Sequence, residues 1–141
     1  MPVFVDTNVL VYARDQSDDG KYRRATDWMA WLWSSGEGRI GTQVLQEYYV
    51  TVTRKLRPAM RSSDAAEDVR DLWTWAPVTV DRDVLELGWD VEQRFRLSFW
   101  DALVVAAAEI AGCDRLLTED LHEGARYGSV LVVDPFATEP G

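Results

Sequence analysis

At 141 residues the chain has the length of one domain, and an apolar fraction of 47% beside 28% charged residues fits a globular fold with one sizeable core. No apolar stretch reaches the roughly 20 residues that span a bilayer, and the first residues lack the basic start of a secretory signal, so a cytoplasmic location without membrane contact is expected. The single Cys113 and lone His122 exclude an intramolecular disulfide and a thiolate or imidazole metal cage, which leaves oxygen to hold any metal.

The net charge of −9 argues against simple electrostatic binding of nucleic acid, but the charge is unevenly placed. Residues 1 to 61 carry +2 and residues 62 to 141 carry −11. Thirteen of the fifteen cations are Arg, and the run from Arg54 to Arg61 holds four cations and no acid. That run reads either as a solvated helix end or as a track for phosphate.

In chain order, Val3-Phe4-Val5 is a short β-branched and aromatic run that stops on Asp6 and turns at Thr7-Asn8 into a second apolar stretch, Val9 to Tyr12. Residues 21 to 34 put Ala25, Trp28, Met29 and Leu32 on one helical face. A weak strand signal at 39 to 42 precedes a helix over 43 to 56, with Val44, Leu45, Tyr48, Tyr49 and Val52 as its stripe. Helical periodicity returns at 64 to 75 and 83 to 97, separated by a strand signal at 78 to 80. Residues 99 to 111 form a helix apolar almost all round, stopped by Gly112, and strands follow at 115 to 118 and 130 to 133. No linker or repeat divides the chain. The expectation is one α/β domain over residues 1 to 141, a central parallel sheet of about five strands with helices on both faces.

In such a fold, strand C-termini and the N-termini of crossover helices share one rim. Four acids satisfy that rule: Asp6 after the first strand, Glu47 in the second turn of the 43–56 helix, Asp101 in the first turn of the apolar helix, and Asp120 after the strand ending at Thr118. Each also has a structural reading. Asp6 can cap a helix, Glu47 can be solvated, Asp101 stands at capping-box spacing from Ser98, and Asp120 can close an Asx turn. Together they repel one another unless a cation neutralises them, and a hard divalent ion with oxygen ligands meets that need. The chemistry this suggests is metal-dependent hydrolysis of a phosphodiester.

Four segments carry a family resemblance: Val3 to Leu10, Gln43 to Glu47, Ser98 to Leu103, and Leu116 to Leu121, with Leu131 to Phe136 extending it to the end. They resemble the successive motifs of the PIN domain, most closely the VapC toxins of VapBC toxin-antitoxin pairs. The resemblance implies a Mg²⁺ or Mn²⁺ site and endonucleolytic cleavage of RNA to a 5′-phosphate and a 3′-hydroxyl. Carried over, Asp6, Glu47, Asp101 and Asp120 form the acidic quartet of catalysis and metal binding, with Asp6 and Asp101 as the foremost direct ligands. Thr7, Asn8, Ser98 and Thr118 match the accompanying polar positions. It further implies a homodimer and an antitoxin partner. The expected substrate is a structured RNA with a single-stranded loop, and Arg14, Arg23, Arg24 and the 54–61 run are available to guide its backbone. The competing readings are a PIN-like binding module without catalysis and a phosphatase with an aspartate nucleophile. The latter generally wants a Lys beside the aspartate, and Lys21 and Lys55 are the only two. Seven Trp residues are many for this length, and Trp28, Trp31 and Trp33 cannot all face one core. Oversized core packing and an exposed interface remain open.

Overall fold

The computed structural model describes residues 1–141. Five strands form one sheet in the order β2-β1-β3-β5-β4: β1 (Val3–Val5), β2 (Gly38–Arg39), β3 (Arg115–Leu117), β4 (Arg126–Tyr127) and β5 (Val130–Val133). The intervals are filled by α1 (Thr7–Tyr12), α2 (Asp19–Ser35), α3 (Thr42–Val50), α4 (Ser62–Leu72), α5 (Arg82–Phe95) and α6 (Phe99–Ile110). Val3, Phe4 and Val5 are all fully buried although alternate residues of a strand point to opposite faces, so both faces of the sheet are covered. This is the α/β architecture that the alternation of patterns calls for.

β1, β2, β3 and β5 run parallel, whereas β4 pairs antiparallel with β5. The expected strand at 78–80 is absent. Val78 makes one isolated parallel bridge, donating to the Ile40 carbonyl and accepting from Thr42 N–H, both at 2.9 Å. Pro77 before it supplies no donor, and by Asp81 the chain has already become the cap of α5, so too few residues remain for a ladder. The fifth strand is instead Arg126–Tyr127, a hairpin partner of β5 turning at Gly128-Ser129. Gly128 takes a φ of +61°, which a side chain would oppose, and the Glu109 carboxylate of α6 accepts from Ser129 N–H and Oγ at 3.4 and 3.3 Å.

Helix boundaries follow the capping chemistry. Asp18, Asp81 and Ser98 accept from the first turns of α2, α5 and α6, and Gly112 leaves α6 with a φ of +75°. Ala102 to Ala108 of α6 are buried throughout, and the four alanines among them let the helix lie centrally in the core. The periodic run at 43–56 is α-helical only to Val50. Thr51–Lys55 continue it as a wider turn in which Leu56 N–H reaches the Thr51 carbonyl. Trp28 is fully buried and its Nε1–H donates to the carbonyls of Pro135 and Thr138, which ties α2 to the C-terminal segment. Trp33, Trp73, Trp89 and Trp100, by contrast, are exposed.

Candidate functional site

Strand register creates the centre of the site. Val5 lies opposite Leu117, and the pairing runs one residue past each strand: Asp6 N–H donates to the Leu117 carbonyl at 3.0 Å, and Thr118 N–H to that of Val133 at 3.2 Å. Asp6 and Thr118 therefore stand side by side at the C-terminal edge of the sheet, where Thr118 Oγ1 donates to Asp6 Oδ2 at 2.7 Å. The other Asp6 oxygen accepts from Thr7 N–H at 2.7 Å. Asp6 thus also caps α1, so its cap reading and its site reading describe the same side chain.

Asn8 links the β1 and β3 ends. Its Nδ2 donates to Thr118 Oγ1 at 3.1 Å and to Asp120 Oδ2 at 3.2 Å, with Asp6 Oδ2 at 3.5 Å, while its Oδ1 accepts from Glu119 N–H at 3.4 Å. Asp120 N–H donates in turn to Thr118 Oγ1 at 3.0 Å. Glu47 enters from α3 and is held from both sides: Thr7 Oγ1 donates to Oε2 at 2.8 Å, and Gln43 Nε2 to Oε1 at 3.1 Å. Asp6, Glu47 and Asp120 are thereby joined through neutral donors.

Asp101 occupies the first turn of α6, whose run into β3 brings its N-terminus to the same edge. Its backbone N–H donates to Ser98 Oγ at 3.1 Å, so Ser98 acts as the cap of the helix. The Asp101 carboxylate has no hydrogen bond or ion pair to the other three acids.

The electrostatics centre on Asp6, which is only 6% exposed. Burial pushes its carboxyl up to about 6 from an ordinary 3.8, hydrogen bonds from Thr118 and Thr7 resist that rise, and the charges of Asp120 and Glu47 add to it. No cation pairs with Asp6, Glu47 or Asp120. The donor set is all oxygen, which suits a hard divalent ion, and the charge excess at Asp6 is what such an ion would relieve. No three acids close on a point tightly enough to ligate an ion by themselves. A fit therefore requires one or two carboxylates with water completing the shell, the habit of Mg²⁺.

The cations are placed differently from the RNA-guiding expectation in one respect. Arg14 forms a bidentate pair with Asp68 of α4, at 2.9 and 2.6 Å, and Tyr48 also donates to Asp68. Arg24 lies beside Glu139 and Arg61 beside Asp64, whereas Arg54 and Lys55 have no acidic partner. Lys55 shares a shallow groove with Thr7 and Glu47. Gln43 and Glu119 lie within the resembling segments but carry no role there, and Lys21 lies outside them. Gln43 precedes Glu47 by one helical turn, a spacing that makes contact readable in sequence. Lys21 donates to Glu119 at 2.6 Å beside the rings of Tyr12 and Phe136, a clasp spanning 98 residues for which no local signal exists. Lys21 thus pairs with Glu119 and makes no hydrogen bond to Asp6, the residue that the aspartate-nucleophile reading would have it serve.

The family model of the PIN domain matches residues 3–123, and the chain belongs to that family. Among solved structures, a toxin-antitoxin complex from Klebsiella pneumoniae shares 17% identity with a TM-score of 0.65, covering 96% of this chain and 98% of that one. Mycobacterium tuberculosis VapC20, described as a sarcin-ricin loop cleaving toxin, shares 24% with a TM-score of 0.63, over 81% and 86% of the two chains. FitAcB from Neisseria gonorrhoeae shares 16% with a TM-score of 0.67, over 96% and 99%. These likenesses establish a common fold. No curated protein sequence matches the chain. No helix is long and apolar enough to cross a membrane.

Proposed function

We infer that this PIN domain is a Mg²⁺- or Mn²⁺-dependent endoribonuclease, the toxin of a toxin-antitoxin pair, held inactive by its antitoxin. The observation that carries the reading is a buried carboxylate, Asp6, hydrogen-bonded only by neutral donors and facing two further acids with no cation among them. A cluster kept for stability alone would include a positive partner. The likeness to a toxin-antitoxin complex supports the biological role, and the likeness to a sarcin-ricin loop cleaving toxin supports structured RNA with a single-stranded loop as the substrate class. Assembly as a homodimer belongs to the same reading.

Asp6, with Asp120 or Asp101, would hold the ion, and Glu47, fixed by Thr7 and Gln43, would orient water at its rim. When bound, a divalent ion supplies Lewis-acid stabilisation of the phosphodiester and activation of water. Thr118 and Asn8 keep the Asp6 and Asp120 oxygens in fixed directions, and Ser98 stabilises the turn that carries Asp101. In this reading cleavage leaves a 5′-phosphate and a 3′-hydroxyl. The test is to map new 5′-phosphate ends in cellular RNA after brief induction of the chain and of its Asp6→Asn variant. Discrete ends made only by the parent support the reading. Identical maps overturn it and favour a binding module without catalysis.

A further inference from the structure

Two features of the α5–α6 turn are unused by the chemistry above. Trp100, in the first turn of α6, is 63% exposed, and the one aromatic ring it meets is that of Phe99, edge-on at 5.4 Å between centroids. An indole left in water forfeits the burial that other tryptophans of the chain obtain, as Trp28 does. Arg96 closes α5 with a φ of +55°, the left-handed region where glycine is free and an arginine is strained. Its neighbour Arg94 pairs with Asp90 at 3.3 Å, but Arg96 is exposed and has no acidic partner. Between these two residues lies Ser98, and Asp101 follows Trp100 directly.

We propose that the α5–α6 turn is the strand-binding element of the nuclease site: Trp100 stacks a base of single-stranded RNA and Arg96 takes an adjoining phosphate, next to the Asp101 carboxylate. This rests on the nuclease reading above. A free π-face and an unpaired planar guanidinium within six residues match the two recurring parts of a nucleotide, its base and its phosphate. Stacking on an aromatic side chain is tolerant of base identity and requires an unpaired base, so the turn selects single-stranded over duplex RNA. It also explains how a chain of charge −9 holds a polyanion near its acids: part of the binding is carried by stacking, which does not depend on charge.

The experiment measures KM and kcat in Mn²⁺ for cleavage of a structured RNA whose single-stranded loop carries one of the 5′-phosphate ends mapped as above, with sedimentation of the RNA-free chain. Trp100→Ala is expected to raise KM about ten-fold or more with the smaller change in kcat, and Trp100→Phe to recover most of that loss. Arg96→Ala raises KM and flattens its salt dependence by about 0.7 per decade, the share of one phosphate contact on a single strand. Trp33→Ala is the control: this exposed tryptophan ends α2 at the opposite edge of the sheet, ahead of β2, and should change neither constant. A parental KM in Trp100→Ala, or an equal loss in Trp33→Ala, overturns the assignment while the nuclease reading stands. So does a changed sedimentation of RNA-free Trp100→Ala, which makes the residue a protein contact. No cleavage by the parent chain overturns both readings.

Discussion

Two carboxylates of this fold, Asp6, which is buried, and Asp68, which keeps 17% of its side chain exposed, are treated in opposite ways. Asp68 receives a bidentate guanidinium from Arg14 and the Tyr48 hydroxyl, so its charge is matched where it lies. Its proximity holds Arg14 more firmly protonated, and burial, helped by Asp68, pushes the Tyr48 hydroxyl up. Asp6 receives only a backbone N–H, a hydroxyl and a distant amide, and its charged neighbours are acids. The first arrangement ties the turn after α1 to α3 and α4. The second leaves a negative charge that no protein cation neutralises, which is the charge the proposed divalent ion would meet.

That contrast can be broken most sharply by substitution. Asp6→Asn is expected to lower RNA cleavage by about a thousand-fold or more, because it removes the charge around which the site is organised. In metal-free buffer the same variant should be as stable as the parent or more so, by up to about 3 kcal/mol at neutral pH, which denaturant titration measures. Asp68→Ala should do the reverse, costing about 1–3 kcal/mol by stranding Arg14 and Tyr48 while leaving Mn²⁺ affinity within about three-fold of the parent. If both variants lose stability alike, the distinction between the two carboxylates fails.

The pH dependence of metal-free stability sharpens the same point. Below about 3.8 Asp6 is protonated in the folded and unfolded chain alike, and its contribution is fully present. As pH rises from 3.8 to about 6 the unfolded chain releases the proton first, so this contribution is lost, and it levels off above 6. Thermal unfolding across pH 4 to 7 should show this fall in the parent and not in Asp6→Asn, and saturating Mg²⁺ should diminish it. The smallest expected effect is that of Ser98→Ala, about 1 kcal/mol from loss of the α6 cap, with a modest fall in cleavage as Asp101 loosens.

Much of this arrangement is written locally. An apolar run ending on Asp6, a second ending on Thr118, and the spacing of strands and helices between them suffice to place both residues on one rim, because parallel register leaves them no other position. Glu47 follows from its place one turn into α3. What the sequence hides is pairing over distance. The match of Arg14 with Asp68 spans 54 residues, and without it Arg14 reads as a free cation. The Asp101 carboxylate takes no part in the hydrogen bonds that join the other three acids, and that depends on how α6 sits, which no motif encodes. Residues 78–80 have a strand's composition, yet Pro77 and the capping demand of α5 leave one bridge. β4 is two residues long, too short for periodicity, and only its Gly128-Ser129 turn announces it.

Everything proposed for this site depends first on Asp6 being the ligand of a divalent cation. Titration of Mn²⁺ into the metal-free chain, read by the loss of free-ion electron paramagnetic resonance signal, should give saturable binding in the parent and in Asp68→Ala. Asp6→Asn should weaken it at least about ten-fold. Equal Mn²⁺ binding by the parent and Asp6→Asn, or none by either, would contradict it.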